Sequence, residues 1–417
     1  MRTIRSPFAV GLHLSMLLLC SCATPTNPAV GSSGPSLLAE TVINKDTGCG
    51  SAAIIVLRSE DGRELPFIVD TGAPMTALDK SLEPRLGKCL GTHTLDNFGA
   101  LYQGSVYAAP ELYLGDTRLA TDVNTITSDI LQKVSADAGR PVLGILGMDC
   151  LQHYCIQLDF KARKMRFLDP GRIEPKRLGK AFPLTFSSEG NDCVEWVRPY
   201  IHCSHLVGEE EIDLLIDTGH GDDGALEPGI LRREIQARTL RPVSDPNDAN
   251  EPRAACLAEC VWNGECYRDL VLANGRNTKE SDDGENSLGL RFLARHLVTF
   301  DFPHRMMYLK KTRTGPLVDK RWLAETKKAG RVAFKLARKM IKHGQLPGWR
   351  KDDPTMSEAM CRLRRNPDRV TLDAHKKGDA STYHYEFGRP CQDDPWTLQR
   401  AWRTDPKDQI VEEYPVP

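Results

Sequence analysis

Three copies of Asp-Thr-Gly occur in the chain, at residues 46–48, 70–72 and 217–219. Two of them follow an apolar run: Phe67-Ile68-Val69 leads into Asp70, and Leu214-Leu215-Ile216 leads into Asp217. A carboxylate at the end of a buried strand is costly unless it finds hydrogen-bond partners or keeps its proton, and such a carboxyl is suited to acid–base work. A lone Asp-Thr-Gly is equally well an Asx-type turn, in which the aspartate caps its own backbone and the glycine completes the bend. The copy at Asp46 follows Ile43-Asn44-Lys45 and reads as such a coincidence, with Gly48 serving a turn near the first strand.

Spacing separates the other two copies from accident. Asp217 lies 147 residues after Asp70, Gly289 lies 142 after Gly147, and Asp301 lies 142 after Asp159. Each aspartate is thus followed, in the same order, by an apolar-Gly landmark, a short helical stretch and two strand-like runs. Recurrence of ordered landmarks at nearly one period indicates a tandem duplication of a β-rich unit.

The run "FIVDTGAPMTAL" at 67–78, followed by "GILGMDCL" and "IQLDF", resembles the retropepsin-like pattern of the aspartic peptidases. "LLIDTG", followed by "SLGLRFL" and "VTFDF", is a looser version of it. The resemblance covers about 270 residues. It implies a mostly β, two-lobed acid-protease β-barrel pseudo-dimer within one chain; the residues beyond it are expected to add a small C-terminal α+β module. It also implies an aspartic endopeptidase needing no cofactor or metal, with Asp70 and Asp217 as the catalytic pair. In enzymes of this family two such carboxylates share one proton and titrate as a unit. The ionised member takes a proton from water while the protonated member donates to the scissile carbonyl.

By the same resemblance, Thr71 and Thr218 bond across the lobe interface, and Gly72 and Gly219 let backbone N–H groups approach the carboxylates. Gly147 and Gly289 pack behind the two loops. The residue after each glycine, Ala73 in one loop and His220 in the other, stands where it can tune the dyad. Asp222 and Asp223 add negative charge nearby, which would raise the dyad's pKa values. A Gly-containing hairpin in "LDNFGALYQGSVY" is the expected flap, with Tyr102 as its contact residue. Two other readings stay open: a peptide-binding or scaffold protein that has lost turnover, and a peptidase active only as a dimer of first lobes.

Residues 41–172 are expected to form the first lobe, with a hairpin about Asp61-Gly62, and residues 178–312 the second. Residues 313–347 make a helical connector, and 348–417 a small module of three strands with no evident catalytic constellation. The connector is a basic amphipathic helix ended by Gly344 and Pro347, and its apolar face is expected to pack on a neighbour. Trp396, Trp402, Tyr383 and Tyr385 are assigned to a small β core.

Residues 1–22 read as a targeting segment: Arg2 and Arg5 precede an apolar stretch too short to span a bilayer. Leu19-Cys20-Ser21-Cys22 resembles the bacterial lipobox, implying acylation of Cys22 and attachment to a lipid bilayer; an ordinary secretory signal is the alternative. Residues 23–40, rich in Pro, Gly, Ser and Thr, form a flexible tether. The protein is therefore expected to be exported, periplasmic or at the cell surface, acting on peptide or protein substrates as a monomeric pseudo-dimer. Export makes disulfides the default for the 11 cysteines beyond Cys22, although an odd number leaves one thiol over. Cys256, Cys260 and Cys266 match no zinc spacing and have no histidine among them. With 417 residues, 27% charged and a net charge of −1, the chain is long enough for several cores and carries no general basic surface for nucleic acid.

Overall fold

A computed structural model describes residues 37–417 except 50–51, 98–99, 122–123, 139, 192–193, 210, 244–253, 276–283, 318–319, 351–359, 366–368, 377, 390–394, 406–409 and 417. The targeting segment, Cys22 and most of the tether lie outside the described residues. The last residues assigned to the tether are already structured: the strand Leu37–Val42 pairs antiparallel with Lys164–Leu168.

Alternating and continuous apolar runs give two lobes built on the same plan. In the first, the strand Glu64–Val69 delivers Asp70 and lies parallel to Gly144–Leu146, pairing Val69 with Leu146. Ala77–Asp79 runs antiparallel to Gly144–Leu146 and parallel to Asn124–Ser128. In the second, Glu211–Asp217 lies parallel to Ser287–Gly289, pairing Ile216 with Leu288. Gly224–Leu226 runs antiparallel to Ser287–Gly289 and parallel to Glu265–Asn274. The crossed parallel arrangement is therefore duplicated strand for strand, and the two aspartates leave equivalent strand ends. These strands belong to a nine-stranded sheet in the first lobe and an eight-stranded sheet in the second.

A six-stranded sheet joins the lobes. Cys155–Asp159 of the first lobe pairs antiparallel with His296–Asp301 of the second, Ile156 meeting Phe300 and Leu158 meeting Val298. Buried residues of both lobes, among them Phe67, Phe167, Phe292 and Phe300, form one continuous core. Its burial is the dominant force holding the lobes in register. The fold is thus mostly β, a two-lobed pseudo-dimer of the acid-protease type.

The C-terminal module has five strands rather than three, ordered Met360–Arg365, Arg369–His375, Thr382–Gly388, Thr397–Thr404 and Ile410–Tyr414. Residues 369–388 form a hairpin that supplies two of these strands, and "MCRLRR" is too charged to signal a strand by hydropathy. The long helix Lys320–Lys342 does more than connect: Ala329, Ala333, Ala337, Met340 and Ile341 share a core with Val370, Leu372, Tyr385 and Phe387. Tyr383 and Tyr385 sit in that core, and Trp396 packs against it. Trp402 instead stacks on His384, ring centroids 4.9 Å apart.

Candidate active site

Each aspartate sits on a tight turn that its own carboxylate closes. Asp70 Oδ1 accepts from the N–H of Gly72 at 2.9 Å and of Ala73 at 3.1 Å. Asp217 Oδ1 accepts from the N–H of Gly219 at 2.7 Å and of His220 at 3.1 Å. The Asx turn and the catalytic reading are thus one geometry, and what distinguishes these copies is what the turns face.

They face each other. The two carboxyls stand close enough that the charge of Asp217 acts on Asp70. A Cβ placed on Gly72 would lie 2.6 Å from Asp217 Cγ, and one on Gly219 would lie 2.5 Å from Asp70 Cγ. Each glycine therefore passes over the opposite lobe's carboxyl at a distance that no side chain permits. Burial, then the charge of Asp217, pushes Asp70 above the ordinary carboxylate range. Burial also pushes Asp217 up, while the backbone N–H groups oppose the rise in both. In such a pair one shared proton is favoured over two ionised carboxylates.

The threonines lock the turns together. Thr71 Oγ1 donates to the carbonyl of Ile216 at 2.5 Å and accepts the N–H of Thr218 at 3.1 Å. Thr218 Oγ1 donates to the carbonyl of Val69 at 2.8 Å and accepts the N–H of Thr71 at 3.0 Å. All four bonds are buried and cross between lobes, so displacement of either aspartate breaks bonds at both.

Behind each turn stands its landmark glycine. A Cβ on Gly147 would lie 2.5 Å from the carbonyl of Met75, and one on Gly289 would lie 2.3 Å from that of Asp222. The short helices that follow, Met148–Leu151 and Leu290–Leu293, continue the support: Met148 N–H donates to Ala73 O at 2.9 Å, and Leu290 N–H donates to His220 O at 2.8 Å.

His220 does not point away into solvent. It is half-buried, and its Nδ1 lies 2.8 Å from where a Cβ on Gly289 would be, buried and without a hydrogen-bond partner among the described residues. Burial holds its imidazole below the usual histidine range, against the opposing pull of Asp222, Asp223 and Asp70, so the ring is neutral at neutral pH.

Asp223 does not act as a free charge beside the dyad. It is fully buried and paired: Arg295, also fully buried, donates Nε and Nη2 to Asp223 Oδ1 at 3.1 and 2.6 Å. Asp223 Oδ2 accepts the N–H of Val271 at 2.9 Å, with Arg291 Nε 3.7 Å away. Arg295 spends its remaining donors on the carbonyls of Arg268, Asp269 and Thr314. The carboxylate that does raise Asp217 is Glu285, which accepts from Tyr200 Oη at 2.5 Å and Arg198 Nη1 at 2.9 Å.

Tyr102 lies in the hairpin of Gly91–Asn97 with Ala100–Ala108, opposite Leu95. It packs on a satellite cluster of Ile54, Ile68, Ile130, Leu131 and Val142. The turn of that hairpin, at 98–99, lies outside the described residues.

The third triplet is structural. Asp46 is buried and accepts Arg140 Nη2 at 2.8 Å and Asn44 Nδ2 at 2.8 Å. Gly48 adopts φ 76°, and a Cβ there would stand 2.3 Å from Ala294 Cβ of the second lobe.

The expected disulfides are not formed at six cysteines: Cys89, Cys155, Cys203, Cys256, Cys260 and Cys266 are thiols. Strand register explains several. Cys155 faces Leu168 and Asp301, Cys203 faces Ile212, Cys256 faces Val271, Cys260 faces Tyr267, and Cys266 faces Val261. Burial pushes the thiols of Cys155 and Cys203 up to about 12 and that of Cys260 to about 11, leaving them unreactive.

No family model and no curated protein matches the chain. Among solved structures it is similar to basic 7S globulin from soybean, at 13% identity and a TM-score of 0.44 over 67% of this chain and 96% of that one. It is also similar to conglutin gamma, a basic 7S globulin from lupine seeds, at 14% identity and 0.43 over 67% and 96%. A third likeness is to an aspartic proteinase from Irpex lacteus, at 11% identity and 0.40 over 66% and 98%. The acid-protease-type arrangement of the two lobes is carried by the chain's own strand order and register.

Proposed function

We propose that the protein is an aspartic endopeptidase that hydrolyses peptide bonds with a water activated between Asp70 and Asp217. The observation that carries this reading is the facing carboxyl pair, each member under the opposite lobe's glycine, braced by two backbone N–H groups and fixed by threonines from both lobes. A purely structural aspartate needs no second carboxyl against it, and two buried like charges in contact cost stability unless a proton is shared.

The shared proton supplies both halves of the chemistry. The ionised oxygen removes a proton from water as it attacks, and the protonated oxygen donates to the carbonyl, where charge develops. Products leave the dyad again with one proton. Because burial and mutual repulsion raise the pair, the second ionisation lies above the ordinary carboxylate range. Activity is therefore retained above pH 4–5 and falls as pH rises through that upper value, where the general acid is lost.

We further propose that the chain works outside the cytoplasm, tethered to a bilayer through an acylated Cys22, on peptide or protein substrates. Digestion of a mixed peptide library from about pH 3 to 8 tests the peptidase reading. Asp70→Asn and Asp217→Asn should each reduce cleavage by about 100- to 10,000-fold. Loss with Asp70→Asn alone would instead indicate a dimer of first lobes, and no cleavage by the parent at any pH would indicate a peptide-binding protein.

A further inference from the structure

The long helix of the C-terminal module uses only one of its faces internally. Ala329, Ala333, Ala337, Met340 and Ile341 are buried against the sheet. The opposite face carries Lys328, Arg331, Lys335, Arg338, Lys339 and Lys342, all exposed. At 100° per residue these six cations fall within an arc of roughly 100°, and at 1.5 Å per residue they extend about 21 Å along the axis. Glu325 is the one acidic residue of the helix sequence and precedes all six. Arg338 lies over the Phe334 ring, and none of the six is paired with a carboxylate among the described residues.

A solvated helix face in a chain of net charge −1 is ordinarily of mixed sign, with acids placed to pair with the bases. Six unpaired cations in one narrow stripe keep a repulsive energy that mixed charges would relieve. We propose that this stripe docks the C-terminal module on an anionic phospholipid surface. A straight row of four to eight cations on an amphipathic helix matches a plane of lipid phosphates. With Ala329, Ala333, Ala337, Met340 and Ile341 committed to the module's own core, the cationic stripe makes its contact electrostatically. No described helix is long and apolar enough to cross a membrane. Lipid is favoured over nucleic acid because the apolar leader and Cys22 put the chain beside a bilayer; the inference rests on that part of the reading and not on peptidase activity.

Co-sedimentation of the full chain carrying Cys22→Ser, which removes any acyl anchor and holds the leader constant, provides the test. The expected result is binding to vesicles of phosphatidylglycerol and phosphatidylethanolamine, at least about 10-fold tighter than to phosphatidylcholine alone, and largely released by 0.5 M salt as charges are screened. Reversal at Arg331→Glu, Lys335→Glu and Lys339→Glu together should weaken anionic binding by about 100-fold or more, and Lys335→Gln with Lys339→Gln by an intermediate factor. Equal binding to both vesicle types, reversal variants that bind like the parent, or tighter binding to a duplex oligonucleotide than to anionic vesicles would each overturn the proposal. Library cleavage by the same variants stays at the parent's level, so failure here is distinguishable from failure of the dyad.

Discussion

The two lobes present the same aspartate turn on different foundations. In the first, Thr76 stands behind the turn, donating its hydroxyl to Asp149 Oδ1 at 2.7 Å and accepting the N–H of Gly147 at 3.3 Å. At the equivalent place in the second, Asp223 meets Arg295 and Arg291, and the N–H of Gly289 bonds the carbonyl of Asp223. A hydroxyl–carboxylate contact in one lobe is matched by a buried ion pair in the other. What stays the same is what two facing carboxyls require: the closing N–H groups, the exchanged threonines and the glycines that allow close approach. What differs lies one layer back, where any satisfied polar arrangement of the right size will hold the turn.

The comparison is broken most directly at Arg295. Arg295→Met leaves buried Asp223 with only the more distant Arg291 as counter-charge and strands three carbonyls, so it should cost about 3–5 kcal/mol in chemical denaturation. Thr76→Val, the matching change in the first lobe, should cost only about 1–2 kcal/mol, because a single buried hydroxyl is lost. Adding Asp223→Asn to Arg295→Met should recover a substantial part of the loss by removing a buried charge that has lost its hydrogen-bonded partner. Equal costs for Arg295→Met and Thr76→Val would show that the two foundations are energetically interchangeable.

The threonines test the half of the comparison that is symmetric. Thr71→Val and Thr218→Val each remove one hydroxyl, leaving one cross-lobe N–H and one carbonyl unsatisfied, so each should destabilise by about 1–3 kcal/mol. The two costs should agree within about 0.5 kcal/mol, and the double variant should cost less than their sum, since the four bonds share partners. A clear difference between the single variants would place the lobe interface's weight on one turn.

These two layers differ equally in how far the sequence discloses them. The strand-borne aspartates, their glycines and the landmark repeat are local signals, carried by residues adjacent in sequence and repeated at one period, and the paired strands follow from them. Arg295 is 72 residues from Asp223, and nothing local ties the two. The only trace is an arginine inside the apolar run Phe292-Leu293-Ala294-Arg295-His296-Leu297, one helical turn after Arg291, where a buried charge has to find a counter-charge. Read without that partner, Asp223 looks like a second negative charge on the dyad. Glu285 escapes for the same reason, because its effect on Asp217 depends on strands brought together by tertiary pairing. The thiols defeat a compartment argument, since strand register, which cysteine counting cannot supply, sets aliphatic, aromatic or carboxylate side chains opposite them.

The smallest and most informative difference is the residue after each glycine, Ala73 against His220. His220 faces Asp222 on its own loop, Asp223 with the guanidiniums of Arg291 and Arg295 behind it, and Asp70 from the first lobe. Burial outweighs the acids and keeps the ring neutral near pH 7. As pH falls below its lowered value the ring gains a proton, and a positive charge near Asp70 then favours the ionised dyad. That favours keeping the monoanion to lower pH, and so moves the acid limb of the rate profile down. His220→Ala makes the second turn match the first and removes this charge. The acid limb of kcat/KM should move up by about one pH unit or less, the size expected for one charge at an effective dielectric of about 20 or more. The alkaline limb should stay in place, because the ring is already neutral there. A shift of the alkaline limb instead would mean that His220 carries its charge at neutral pH, and that the asymmetry of the two turns acts on the proton the dyad holds rather than on the one it gives up first.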